Sequence, residues 1–207
     1  MRCIKIKSQS KEYKVDFYST IEETICELED YLIIIDSNVH FLYEKYFNHE
    51  VIIFNCNENN KTLDGSILIL KELIKRKVKS NGKIAIIGGG IMQDVASFAC
   101  SIYCRGIDYI LIPTTLLSQC DSCIGGKTSI NFESAKNILG TFCPPKKVLI
   151  CPKFLDTLSK EDYLSGIGEI IKFNILKDTL NNFKELYSKQ DNYSLIYDSL
   201  KAHYAKD

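Results

Sequence analysis

The sequence has no apolar run long enough to cross a bilayer. Its most hydrophobic stretches, Tyr31–Ile35 and Ile84–Ile87, are far short of the roughly 20 residues a spanning helix needs. It has no excess charge of either sign, with 26 Lys plus Arg against 26 Asp plus Glu. A nucleic-acid or anionic-membrane partner is therefore not expected, and any anionic ligand must be held by local charge. It has no internal repeat and no low-complexity tract. Its opening, MRCIKIKSQSKEYKVDF, is charged and alternating rather than built like a secretory leader, so a cytoplasmic protein is expected. What it does have is 45% apolar residues in 207, enough to bury the core of one large domain or of one domain and part of a second.

Cysteine is plentiful, nine residues, and an odd number leaves at least one thiol unpaired within the chain. Cys120-x-x-Cys123 with Cys100 and Cys104 has the look of four zinc ligands. Cys100 and Cys104 fall in an apolar helical stretch, however, and reduced thiols are the expectation for a cytosolic chain.

Alternation at Cys3, Ile4, Ile6 and at Val15, Phe17 predicts a half-buried hairpin or edge. Thr20 precedes a short amphipathic helix through Leu28, with Glu22 and Glu23 in its first turn. Tyr31–Ile35 reads as a parallel strand covered on both faces. A helix through Leu42, Tyr43 and Tyr46, a strand at Val51–Phe54 and a long helix at Leu63–Val78 follow. Then come a buried strand at Lys83–Ile87, a helix at Ile91–Tyr103 and a strand at Tyr109–Ile112. A helical stretch broken by Gly140 and a last strand at Val148–Ile150 complete this part. The alternation predicts an α/β fold with a doubly wound parallel sheet, Rossmann-like, over residues 1–152. Beyond Pro152 only helical patterns remain, at 159–178, 180–189 and 193–206, so residues 153–207 read as the start of an all-α domain.

Ligands of such sheets bind at the carboxyl ends of the strands. The groups there are Asp36 with Asn38, Glu58 with Lys61, Gly88-Gly89-Gly90, and Thr114 with Thr115. Three glycines between a buried strand and a helix let backbone amides approach a phosphate or dinucleotide. The spacing is not G-x-G-x-x-G, which argues against an ordinary dehydrogenase. Taken alone, Asp36 serves a ribose or a helix cap equally well, and Glu58 and Lys61 read as solvated charges. Asp121-Ser-Cys-Ile-Gly-Gly-Lys127-Thr lacks the upstream glycine of a Walker loop. Arg105, Lys127 and Lys136 suggest a phosphorylated small molecule. Glu169 and Lys172 share one helix face. They read as a surface ion pair, or Glu169, set among isoleucines, as a carboxylate that needs a partner such as a metal.

Six ordered motifs together resemble the 3-dehydroquinate synthases, within the sugar phosphate cyclases. They are Gly-Gly-Gly-x-x-x-Asp at 88–94, Tyr103-Cys-Arg105-Gly106, Pro-Thr-Thr-Leu-Leu at 113–117, Asp-Ser-x-x-Gly-Gly-Lys-Thr-x-Ile-Asn at 121–131, Lys136-Asn137-x-x-Gly140 and Gly168-Glu169-x-x-Lys172. The match runs from about Asp36 to Lys172. The resemblance implies cyclisation of the seven-carbon keto acid phosphate DAHP to 3-dehydroquinate and phosphate in the shikimate pathway, with catalytic NAD and a divalent metal, zinc or cobalt. It assigns Asp36, Asn38, Glu58, Lys61, Gly88, Gly89, Gly90, Asp94, Thr114, Thr115, Lys136 and Thr157 to NAD. Asp121, Lys127, Asn137 and Lys172 would line the substrate pocket, Arg105 would grip the phosphate across a homodimer interface, and Glu169 would ligate the metal.

Gln93 and Ser97 stand where the family usually has glycine. The family's other two metal ligands are histidines of the carboxy-terminal domain. None of His40, His49 and His203 lies in the matching motif. The resemblance therefore implies a chain that stops short of its metal site and does not turn over by itself. Two other readings stand beside this one: a different sugar phosphate cyclase, for instance one acting on sedoheptulose 7-phosphate, and a non-catalytic NAD-binding module.

Overall fold

A computed structural model describes residues 2–8, 10–47, 50–176 and 179–204. His49 and the last positions of the helices expected at 159–178 and 193–206 lie outside them. The sheet runs β1 (Cys3–Lys7), β2 (Glu12–Phe17), β3 (Leu32–Asp36), β4 (Val51–Phe54), β5 (Ile84–Gly88), β6 (Tyr109–Pro113) and, after a separate hairpin of β7 (Lys127–Phe132) and β8 (Ala135–Phe142), β9 (Lys147–Ile150). Its spatial order is β1-β2-β9-β6-β5-β3-β4. Only β1 and β2 pair antiparallel; every other ladder in this sheet is parallel. The strand at Val148–Ile150 is thus last in sequence but central in space, between β2 and β6.

The middle strands are runs of Ile, Leu and Ala because both their faces are covered. Ile33, Ile35, Ala85, Ile87, Ile110, Ile112 and Leu149 pack under α1 (Ile21–Cys26) and α2 (Ser37–Tyr43). Ile34, Ile84, Ile86, Leu111 and Val148 face the other way, toward α3 (Leu63–Lys75) and α4 (Gly90–Ile102). Three carboxy-terminal helices, α5 (Lys160–Leu176), α6 (Leu180–Ser188) and α7 (Asn192–Tyr204), extend this second layer. Their Ile167, Ile170, Phe183, Leu195, Ile196 and Leu200 are buried in the same cluster.

Two expectations are corrected. Helix α3 ends at Lys75, not Val78, because Lys77 adopts a left-handed φ of 52°. The stretch around Gly140 is not helical. It is strand β8, paired with β7 from Lys127↔Phe142 to Ile130↔Leu139. Gly140 does not break the element but permits it, since an added Cβ would lie 2.0 Å from the Thr128 carbonyl oxygen.

Candidate active site

The chain leaves β3 toward β4 on one side and returns to β5 on the other. The carboxyl ends of β3 and β5 therefore flank the switch point of the sheet, where open α/β folds place their ligands. A cleft of about 450 Å³ lies there, lined by Asp36, Asn38, Gly89, Gly90, Thr114, Thr115 and Thr157 among others. Seven residues picked from three strand ends and one distant turn thus share one cavity.

Each is held for a local reason. Asp36 ends β3 and caps α2, its Oδ1 accepting from the backbone N–H of Asn38 at 2.7 Å and of Val39 at 3.2 Å. It is cap and cleft wall at once. The Cys56 thiol faces it; burial and then the adjoining carboxylate push that thiol well up. Gly89 caps α4, whose amino terminus presents unpaired N–H groups and a partial positive charge. A side chain at Gly89 would meet Thr115 Cγ2 at 2.9 Å, whereas at Gly90 the nearest atom is Ser122 Oγ at 3.8 Å. The triple glycine thus permits close packing at its centre and keeps its last position open to the cleft. Thr157 pairs with the Tyr43 hydroxyl at 2.9 Å.

Glu58, Lys61, Asp94 and Lys136 form a second group with the hairpin. Lys61 is not the solvated charge its spacing suggests: it is 9% exposed. Its Nζ lies 2.6 Å from Asp94 Oδ2 and donates to Asn137 Oδ1 at 2.7 Å. Asp94 also accepts from the Ser129 N–H at 3.0 Å. Burial holds its carboxyl above the usual value, with Lys61 offsetting part of that. Glu58 accepts from Asn131 Nδ2 at 2.9 Å and meets Lys136 at 3.4 Å. The Asn131 amide, ahead of Lys136, pulls its pKa down. Asn137 (φ 55°) donates its N–H to Asn131 Oδ1, so it sits with this group.

A third group joins Asp121, Glu169 and Lys172. Glu169 and Lys172 form an ion pair, which raises the lysine's pKa, the nearby Asp121 adding to the effect. Asp121 belongs to a π-type turn, Ser118–Ser122, and accepts a hydrogen bond from the Tyr204 hydroxyl of α7. Lys127 lies apart on a cavity of about 620 Å³ with Ile6, Phe142 and Tyr204. Arg105 follows α4 and so lies at its far end, roughly 20 Å along the helix from Gly90. The three cations Arg105, Lys127 and Lys136 therefore do not converge within one chain.

Sequence reasoning missed Tyr204, for which no motif gives a signal, and Ser129 and Asn131 as anchors, which the T-S-I-N-F alternation of a strand could have shown. Cys100, Cys120 and Cys123 are buried and Cys104 exposed. Among the described residues no group of three His, Cys, Asp or Glu could hold an ion.

A doubly wound, mostly parallel sheet with a glycine-lined cleft at its switch point places the chain in the class of Rossmann-like α/β folds. It superposes on ValA, a 2-epi-5-epi-valiolone synthase from Streptomyces hygroscopicus solved with NAD+ and Zn2+, with a TM-score of 0.86 at 24% identity, covering 95% of this chain and 61% of that one. A 2-deoxy-scyllo-inosose synthase complexed with carbaglucose-6-phosphate, NAD+ and Co2+ gives 0.82 at 24% identity, covering 97% and 62%. The family profile described as 3-dehydroquinate synthase N-terminal matches residues 51–165, and the chain belongs to the 3-dehydroquinate synthase family. The 3-dehydroquinate synthase of Clostridium tetani is 35% identical over 193 residues, 86% of this chain and 52% of that protein. The chain spans about half the length of the curated relatives it matches. No helix among the described residues is long and apolar enough to cross a membrane.

Proposed function

We propose that this chain is the nucleotide-binding part, residues 1–152, and the first helices of the substrate-binding part, residues 153–207, of an enzyme that converts DAHP to 3-dehydroquinate and phosphate. The observation that carries this is the cleft between Asp36 and Gly89–Gly90. It fits a nicotinamide dinucleotide on its own chemistry. The pyrophosphate is matched by the N–H groups that open α4, and Gly90 leaves the space for it. A ribose hydroxyl is matched by the Asp36 carboxylate, with Asn38, Thr114, Thr115 and Thr157 on the walls. Gly88, Asp94, Glu58, Lys61 and Lys136 brace these surfaces from below and beside. When bound, the nucleotide supplies the temporary oxidation of a substrate alcohol and its reversal.

Asp121, Lys172 and Glu169 lie together at the turn that follows Thr115 of the cleft wall. In our reading Lys172 and Asp121 meet the anionic keto acid and its hydroxyls, while Lys127, on its separate cavity, and Asn137, bound to Lys61, reach it only if their side chains turn toward it when it binds. Arg105 of a second copy completes the phosphate site. The residues described do not fit a divalent metal: Glu169 is a single carboxylate already paired with Lys172, and catalytic zinc takes three protein ligands. We therefore expect this chain to bind NAD without turning DAHP over. Calorimetry with NAD and a phosphate-release assay with DAHP, NAD and zinc test both halves. Saturable binding without release is the expected result. Release would show that the metal is held, and no binding would reject the nucleotide cleft. Sedoheptulose 7-phosphate in the same assay addresses the related cyclase activity.

A further inference from the structure

Gln93, on the first turn of α4, is 4% exposed. Its Oε1 accepts from the Ser122 hydroxyl at 2.9 Å, while its Nε2 is buried with no partner. In this orientation the Ser122 proton is engaged by Oε1, whereas the opposite orientation would leave Oε1 unpaired and release that proton. Buried amide ends are nearly always paired, and a methionine would fill the same volume with no deficit. What the amide does, then, is done to Ser122. That residue is exposed, ends the π-type turn directly after Asp121, and places its Oγ as the nearest atom to the open space at Gly90. It stands between the nucleotide cleft and the Asp121–Glu169–Lys172 group. With its proton committed to Gln93, the hydroxyl offers only lone pairs outward.

An acceptor at this point cannot pair with a pyrophosphate or a phosphate ester, which are acceptors themselves. The donors of the dinucleotide are its ribose hydroxyls, one of which Asp36 matches, the adenine amino group and the carboxamide N–H of its nicotinamide ring; of these the carboxamide lies at the end that must reach toward the substrate group at Asp121, the neighbour of Ser122. We infer that Ser122, held by Gln93, accepts a hydrogen bond from the nicotinamide carboxamide and so sets which ring face meets the substrate. Ser122 is the contact and Gln93 its positioning residue. This inference rests on the reading of the cleft as an NAD site.

The test is calorimetry on the full chain with three probes: NAD, 3-acetylpyridine adenine dinucleotide, in which a methyl ketone replaces the carboxamide and removes the donor, and ADP-ribose, which lacks the nicotinamide ring. The unaltered chain is expected to prefer NAD over the acetylpyridine analogue by roughly fivefold, the worth of one net hydrogen bond. Ser122→Ala and Gln93→Met are expected to abolish that preference, lowering NAD to the level of the analogue while ADP-ribose binds as before. Gln93→Met, which removes an unpaired buried amide, is expected to melt no lower than the parent, so its loss of preference cannot be a folding defect. No preference in the parent chain, or a preference that survives Ser122→Ala, overturns the inference while leaving the nucleotide cleft intact. Failure of NAD and ADP-ribose alike to bind the parent chain overturns both.

Discussion

Replacing Lys61 with methionine keeps the aliphatic stem and removes the ammonium that sits 2.6 Å from Asp94. Breaking a buried ion pair from one side costs about 3–5 kcal/mol. Asp94 would keep the Ser129 N–H at 3.0 Å, and 21% of its side chain reaches solvent. These place the cost in the lower range, about 2–3 kcal/mol. For a chain of this size that is a fall in Tm of about 4–12 °C. The sign with pH follows from Asp94, whose carboxyl is raised by burial in the folded state. Such a group contributes fully below its unfolded value, and the contribution is lost as pH climbs through the folded one. Without Lys61 the folded value rises further and the loss above it deepens. The gap between parent and variant should therefore be wide at pH 7 and narrow near pH 4, read by urea unfolding at both. Asp94→Asn added to Lys61→Met should recover most of the stability at pH 7. An equal gap at the two pH values, or a double variant no better than the single, would refute the account of a buried, mutually dependent pair.

Gly140→Ala should cost about 3 kcal/mol or more, because its Cβ would overlap the Thr128 carbonyl. Gly168→Ala, in α5 with nothing within 4 Å, should gain about 0.5–1 kcal/mol; thermal melts of the two decide it. Tyr204→Phe removes the hydrogen bond to Asp121 and should cost about 1 kcal/mol. Faster amide hydrogen exchange confined to α7 would mark it, and unchanged protection would show that the hydroxyl anchors nothing. Cys3, Cys26 and Cys104, which are exposed, should react with Ellman's reagent at once. Buried Cys100, Cys120, Cys123 and Cys151 should wait for denaturant. Fast loss of a buried thiol would contradict this packing.

The parallel strands were legible because burial on both faces writes itself as Ile-rich runs: Ile33–Ile35 and Ile84–Ile87 need no partner to be recognised. The cleft was legible for the same reason, since strand ends fix where Asp36, Gly88–Gly90, Thr114 and Thr115 must emerge. The hairpin was not. Its second strand, A-K-N-I-L-G-T-F, is largely exposed and carries no apolar alternation, so its glycine looked like a stop. Lys61 was misjudged because its partner is 33 residues away on α4 and its other acceptor, Asn137, is on that unseen hairpin. The position of Val148–Ile150 in the middle of the sheet follows from topology, not from any property of those residues.

The hairpin is what turns separate strand ends into one surface. It is fastened to the Glu58–Lys61 loop where the Asn131 N–H donates to the Lys61 carbonyl at 2.8 Å and Thr62 bridges Asn131. It is fastened to α4 where Asp94 takes the Ser129 N–H. Lys61 then ties α4 back to the hairpin through Asp94 and Asn137, so the three elements brace one another. The charges there cancel in pairs, Lys61 with Asp94 and Lys136 with Glu58. A corner so neutralised has little attraction left for an anion. On the proposed reading, attraction for a pyrophosphate would come from the N–H groups at the start of α4, whose direction is set by the helix itself. The lysines near the cleft are thus braces for the surface that carries those amides, and losing one should loosen the site more than it weakens its field.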